Sequence, residues 1–358
     1  MKHIIFYILF IVLPINVYCQ IEDELISTKL VKDGVFYPND LTVVGEFIFL
    51  KDLLESTGEY GIKIYERRSG VKIKEFLRPG RGPSEYLSFN IRKGRESMTL
   101  EVSDNKNKKN DTYSVECIIS LPADGDLTKC LKESIPNYTT REAIIVDDNL
   151  ILNTSSEVGG INFLSNREKI IDYVTEVPDK IEEKYSNSYT GGIAMAGYLV
   201  GNFKRNKFAY FGRYYDQSIF FLYQNGIFNE YKNNHYSHLP ELDIINIGGN
   251  RIVEPSDKAK FGFLSPVSDS SNIYVLYSGQ TLDDVPRSDD IEWRALTTKI
   301  KVFDWEGAEV SEFKVDYPLL HIAVSEDGEY LYGVALTDED SMVLEVVTYS
   351  LGRLFSNR

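Results

Sequence analysis

Beyond its first twenty positions the chain is a succession of short runs in which apolar and polar residues alternate, broken by polar clusters containing Gly, Asn and Asp. That period of two predicts strands, and no later stretch carries the spacing of a long amphipathic helix. One pattern recurs six times: a polar turn followed at once by a strand of aromatic and β-branched residues. It reads Gly45-Glu46-Phe47-Ile48-Phe49, Glu96-Ser97-Met98-Thr99-Leu100 and Asp148-Asn149-Leu150-Ile151-Leu152 in the first half. It continues as Asn206-Lys207-Phe208-Ala209-Tyr210, Ser271-Asn272-Ile273-Tyr274-Val275 and Asp327-Gly328-Glu329-Tyr330-Leu331-Tyr332. The copies lie about 50 to 65 residues apart, the length of a four-stranded propeller blade with variable loops. One such sheet cannot bury both faces alone, and six arranged radially hide each face against a neighbour.

A second element alternates with the first. Ile62 to Tyr65 leads through Ser69-Gly70 to Glu75-Phe76, Ile219 to Tyr223 through Asn225-Gly226 to Glu230-Tyr231, and Ile300 to Asp304 through Gly307 to Glu312-Phe313. Each reads as an outer hairpin turned by a glycine, its lysines and glutamates suiting a half-exposed sheet. The last copy has strands at Tyr330 to Leu336 and Met342 to Tyr349 and then little chain, one strand short. The early run Leu25 to Val31 has no partner of its own and is expected to supply the missing outer strand. The expected fold is therefore all-β: a six-bladed propeller of four-stranded antiparallel blades, one domain over 20–358, closed by its N-terminal strand. Polar stretches at Asn105 to Asp111, Lys232 to His238 and Gly279 to Glu292 read as hairpin tips or connections.

The first nineteen residues read differently. A basic pair, Lys2 and His3, precedes an apolar run from Ile4 to Ile15, which is signal-peptide length and short for a bilayer span. Val17 and Cys19 suit ordinary cleavage before Gln20. In the alternative processing route Cys19 carries a lipid, and Glu22-Asp23-Glu24 follows as a surface-export tag, although Tyr18 is large for that route. Without the leader 38 basic groups face 54 acidic ones, a formal charge of −16. Such a surface argues against nucleic acid as a partner and leaves Cys19 as the sole expected link to a membrane.

Past the leader two cysteines remain, Cys117 and Cys130, on either side of the turn Pro122-Ala123-Asp124-Gly125. With both flanks read as strand, they form a cross-strand disulfide or simply pack as thiols. Two sulfurs without nearby histidine fall short of a zinc shell.

The stretch Phe76-Leu77-Arg78-Pro79-Gly80-Arg81-Gly82-Pro83-Ser84-Glu85-Tyr86 resembles the connector of the TolB-like six-bladed propellers common in Bacteroidota, with Ser84 where a further glycine is frequent. The run Ile322 to Gly333 is similar to their terminal blade. The resemblance covers nearly all the mature chain. It implies the propeller fold and a setting outside the cytoplasm, and no activity, because propellers host many functions.

Candidate chemistry is sparse. Arg78, Arg81, Glu85 and Tyr86 form a compact set able to grip an anion through arginine forks, or else Glu85 pairs with an arginine and the loop serves the fold. Trp293, in an acidic loop, offers a flat ring to a sugar, while Trp305 sits at a hairpin tip. His235 and His238 read as loop residues and His321 as a structural residue near a blade edge. Acidic clusters at Asp147-Asp148, Asp283-Asp284, Asp289-Asp290 and Asp338-Glu339-Asp340 lie in or beside turns. No nucleophile elbow, phosphate loop or cysteine–histidine pair is present, so no catalytic residue, metal site or cofactor is assigned. The leading expectation is an exported binding or scaffolding propeller whose loops at one face recognise a protein or glycan. The alternative is a hydrolase or lyase acting on a carbohydrate or lactone at the channel, with carboxylates or a calcium ion doing the chemistry.

Overall fold

The computed structural model describes residues 24–31, 34–80, 82, 85–104, 106–122, 125–136, 143–147, 150–154, 161–165, 169–173, 196–234, 238–247, 250–284, 296–338 and 341–352. The leader, Cys19 and Trp293 lie outside them.

Four four-stranded antiparallel sheets follow one another along the chain. They comprise Asp40–Val44, Phe47–Leu53, Tyr60–Glu66 and Lys72–Phe76; then Phe89–Lys93, Thr99–Asp104, Lys109–Ser114 and Leu131–Pro136. The third holds Ala143–Asp147, Leu150–Thr154, Ile161–Ser165 and Lys169–Tyr173, and the fourth Gly197–Asn202, Lys207–Gly212, Ser218–Gln224 and Ile227–Asn234. An eight-stranded sheet follows: Phe263–Ser268, Asn272–Tyr277, Thr297–Asp304, Glu309–Val324, Tyr330–Asp338, Val343–Ser350 and, from the chain start, Glu24–Leu25 and Thr28–Val31. Its long strand Glu309–Val324 is shared. The first half pairs with Thr297–Asp304 and the second with Tyr330–Asp338, so this sheet supplies a fifth and a last unit. The anticipated outer strand is present, since Thr28–Val31 pairs antiparallel with Val343–Ser350, placing Thr28 opposite Thr348.

The second strand of each unit explains why the recurring turn precedes so apolar a run. Alternate side chains of a strand point to opposite faces. Ile48 and Leu50 accordingly join Val334 and Val346 of the last unit, while Phe49 joins Leu100 and Val102 of the second. Phe208 and Tyr210 pack toward the third unit and Ala209 and Phe211 toward the fifth. Ile273 and Val275 face the fourth unit and Tyr274 and Leu276 the last. Five apolar clusters thus lie between successive sheets, so these strands are buried on both faces.

That double burial corrects the half-exposed reading of Ile62 to Tyr65. Lys63 is fully buried and donates to the equally buried Asp52 at 2.9 Å and to Gly34 O at 2.6 Å. Asp52 also accepts the N–H groups of Phe36, Tyr37 and Leu53, pinning the segment after the first strands onto the first sheet.

Other departures are local. Cys117 and Cys130 lie in a helix, Val115–Ser120, and a 3-10 turn, Leu127–Cys130, not in strands; their sulfurs are bonded at 2.06 Å. Ser114 caps that helix by accepting from Cys117 N, and Lys74 from the first sheet donates to the carbonyls of Ile118, Ile119 and Leu121 at its end. Trp305 sits at its hairpin tip but is only 1% exposed, because the turn folds back over Phe220 and its carbonyl receives the Lys207 ammonium and the Tyr231 hydroxyl. The stretch read as loop from Lys232 is strand as far as Asn234, and an unanticipated hairpin, Leu242–Ile247 with Asn250–Pro255, follows it.

Candidate functional site

The first strands of the units share one cavity of about 710 Å3. Its wall is drawn from 39–43, 90–95, Ile144, 197–202, 264–268 and 320–324, segments of the four-stranded sheets and of the eight-stranded sheet. Along this wall Glu309–Val324 touches Asp40–Val44, which touches Phe89–Lys93. Ala143–Asp147 touches Gly197–Asn202, which touches Phe263–Ser268, which touches the long strand again. Polar bonds stitch neighbours together: Asp40 Oδ2 accepts Ile91 N at 2.8 Å, Asn202 Nδ2 donates to Ser270 O at 3.3 Å, and Lys93 meets Glu326 at 2.8 Å. The last two join turn to turn, which puts the recurring polar turns of these units at one mouth.

At the other end, where the inner strands begin, three units converge. In the fifth, the register of Phe263–Ser268 shifts between Leu264 and Val267, and within this irregularity Ser265 adopts φ 47°. In the last, the register of the long strand shifts between Leu319 and His321. Such irregularities re-aim side chains, and non-glycine residues in the left-handed region cluster at functional sites. Ser265 Oγ accepts Ile322 N at 3.1 Å, tying the two irregular strands together beside His321.

The third contributor is Arg213, in the loop after Lys207–Gly212. Its N–H donates to Ala196 O at 2.8 Å and its carbonyl accepts Gly262 N at 2.7 Å, so its backbone is held from both sides. Gly262 is required there, because a Cβ would lie 2.2 Å from Tyr215 O. Arg213, Ser265 and His321 all line the cavity, as do Tyr198 and Tyr214. His321 Nε2 is screened from solvent and has no protein partner. Burial, with the charges of Lys51 and Arg213 nearby, lowers its pKa to about 3, so the imidazole is neutral.

The cavity's charge runs against that of the molecule. The whole chain carries −15, yet the wall holds Arg92, Lys93, Arg95, Lys204, Arg205 and Arg213 against Asp40, Asp269 and Glu326. Each carboxylate is engaged. Asp40 accepts Leu41 N and Ile91 N, Asp269 accepts Ser271 N, Asn272 N and the Tyr274 hydroxyl, and Glu326 pairs with Lys93.

Of the residues singled out from the sequence, Glu85 and Tyr86 lie outside this wall. Tyr86 is 1% exposed, its hydroxyl bonded to Asp111 at 2.5 Å and to Tyr113, and burial with these neighbours pushes its pKa far up. Glu85 accepts Gly82 N at 2.7 Å. Asn107 bonds the carbonyls of Gly80 and Glu85. Arg78 sits in a two-residue strand pairing with Glu85–Tyr86, and its side chain and all of Arg81 lie outside the described residues. So do His235, Asp148, Asp289, Asp290, Glu339 and Asp340. His321, read as a blade-edge residue, lines this cavity. Among the described residues no group of three His, Cys, Asp or Glu side chains is arranged to hold a metal ion, and no helix is long and apolar enough to cross a membrane.

A family model described as TolB-like 6-blade propeller-like matches residues 21–327, whereas no curated protein matches the sequence. Among solved structures, a member of the duf4221 family from Bacteroides vulgatus superposes with TM-score 0.52 at 10% identity, covering 92% of this chain and 96% of that one. A Bacteroides fragilis protein described as exported gives 0.52 at 10% identity over 90% and 94%. Raptor from Chaetomium thermophilum gives 0.46 at 11%, and there the chain spans only 29% of the other's length. At these identities the likeness is one of fold.

Proposed function

Because the chain belongs to the TolB-like 6-blade propeller-like family, we propose that it is an exported, non-enzymatic binding propeller: six blades over 20–358, released from the leader 1–19, holding a protein or glycan partner outside the cytoplasm. The ligand sits in the channel, not on the Arg78 to Tyr86 connector. One observation carries this reading: strands of the four-stranded sheets and of the eight-stranded sheet line one cavity of about 710 Å3, within the usual size of a ligand site. At its wall a serine in the left-handed region and the side chain of His321 are held in place. In the connector, by contrast, Glu85 accepts Gly82 N and Gly80 O accepts from Asn107. The export-type leader and the fold likeness to a Bacteroides protein described as exported support the location. Release before Gln20 is the proposed route, and intact mass of the mature protein separates it from lipidation at Cys19.

A glycan and lactone panel read by ligand-observed NMR tests the proposal, with wild type set against Val267→Trp, which fills the cavity. Ligands of the wild type are expected to lose binding in the variant and to be recovered unchanged. Equal binding by both proteins would place the site elsewhere, and conversion of a panel member would make the protein an enzyme.

A further inference from the structure

Among the described residues, the hairpin strands Leu242–Ile247 and Asn250–Pro255 pair only with each other, in a sheet of two strands. We infer that the outer edge of Leu242–Ile247, over 243–246, is a docking site for a partner protein that adds an extended segment of alternating apolar and basic residues as a third strand. None of 242–255 lines the cavity, so this surface stands independently of what the channel holds.

The backbone decides the class of partner. Every second residue of an edge strand points its N–H and C=O away from its neighbour, and another polypeptide strand matches such a row at its own spacing, as a sugar chain does not. Proteins ordinarily guard exposed edges with proline, lysine or a bulge. Pro255 ends the returning strand, whereas Leu242–Ile247 carries neither residue and pairs without a register shift. The base of the hairpin is anchored. Leu242 belongs to the apolar cluster that holds Phe221 and Phe228, Val253 packs against it, and Ser256 N donates to Glu241 O at 3.1 Å. The edge is thereby held extended before a partner arrives, which lowers the ordering cost of pairing. Beyond the base, Ile244 and Ile245 are 41% and 37% exposed, one on each face of the strand.

The side chains decide the partner's charge. Asp243 and Glu254 stand directly opposite one another across the hairpin, both exposed, and among the described residues neither forms an ion pair. Like charges so placed repel, and a lysine or arginine on an added strand relieves both. The same pair turns away a second copy of this chain, which would bring the same two carboxylates and a charge of −15 to the contact.

The test titrates three short capped peptides into the full-length protein: one alternating valine with lysine, one with glutamate for lysine, and one with proline for the central valine. At about ten times its dissociation constant the lysine peptide is expected to slow amide exchange across 243–246 about tenfold. The glutamate peptide is expected to bind about tenfold more weakly, and the proline peptide more weakly than the lysine peptide. Asp243→Lys/Glu254→Lys, altered only at exposed positions, is expected to reverse the order of the two charged peptides. Equal binding of both by the wild type, or an unchanged order in the variant, overturns the inference. So does exchange at 243–246 that no peptide slows. Sedimentation of the protein alone covers the other occupant, since a dimer with these amides protected overturns the inference in favour of a second copy.

Discussion

The hydroxyl of Ser265 accepts the backbone N–H of Ile322 at 3.1 Å while Ser265 itself sits at φ 47°. A left-handed conformation costs a non-glycine residue on the order of 1 kcal/mol, and the bond between the two strands offsets it. Ser265→Ala keeps the cost and loses the bond, so urea unfolding is expected to show a loss of about 1–2 kcal/mol. Ser265→Gly loses the bond but relieves the backbone, and it is expected to fall between alanine and wild type. Equal stability of the two variants would remove backbone strain from the explanation.

Lys63 and Asp52 form an ion pair entirely out of water. Removing one partner strands the other, so Lys63→Met is expected to cost about 3–5 kcal/mol. Hydrogen exchange at Phe36 and Tyr37, whose amides bond Asp52, should accelerate in the same variant. A loss below roughly 1 kcal/mol would mean the pair does not hold that segment.

The bond between Cys117 and Cys130 closes a short loop, with a sequence separation of 13. Replacing both by serine is expected to lower stability by about 2–3 kcal/mol, chiefly by freeing the unfolded chain. Intact mass of the exported protein without reductant should show no free thiol at either position, and two alkylated cysteines would contradict the structure.

His321 makes stability depend on pH in a definite direction. Its folded-state pKa is lowered, to about 3, against the ordinary value of 6.5. The unfolded chain therefore binds a proton that the folded protein refuses, so this contribution is complete above about 6.5 and declines as pH falls toward 3. The groups facing the imidazole in this respect are Lys51 and Arg213, both cationic throughout that range. Between pH 7 and pH 5 the wild type is expected to lose more stability than His321→Gln. Identical losses would show that the imidazole is not protected from protonation.

The scaffold was legible and the site was not, for related reasons. Strand alternation and the polar turns are local signals, and Gly45-Glu46, Asn206 and Asp327-Gly328 lie at or beside the turns where the first and second strands meet. Even the orphaned early run found its partner, because a last unit lacking one strand is countable from sequence. Arg213, Ser265 and His321 come from three different units and share no local motif. Nothing about His321 in its apolar run distinguishes a wall residue from an edge residue until neighbouring strands are placed. In the connector, Glu85 and Tyr86 hold bonds inside the fold, while the side chains of Arg78 and Arg81 lie outside the described residues. Lys63 shows the limit of reading alternation, since a strand buried on both faces carries its lysine into the core when a carboxylate waits there. The helix at Val115–Ser120 reads Val-Glu-Cys-Ile-Ile-Ser, six residues too short for periodicity to separate helix from strand.

The channel exists only if the chain start meets the chain end. Thr28 and Thr348 stand opposite one another where the early strand pairs with Val343–Ser350, a distance a disulfide spans in an antiparallel pair. The decisive measurement is intact mass and melting of Thr28→Cys/Thr348→Cys after air oxidation. A second disulfide forming without denaturant, with a raised melting temperature, is the predicted result. Two free thiols and unchanged melting would contradict closure and, with it, the shared channel.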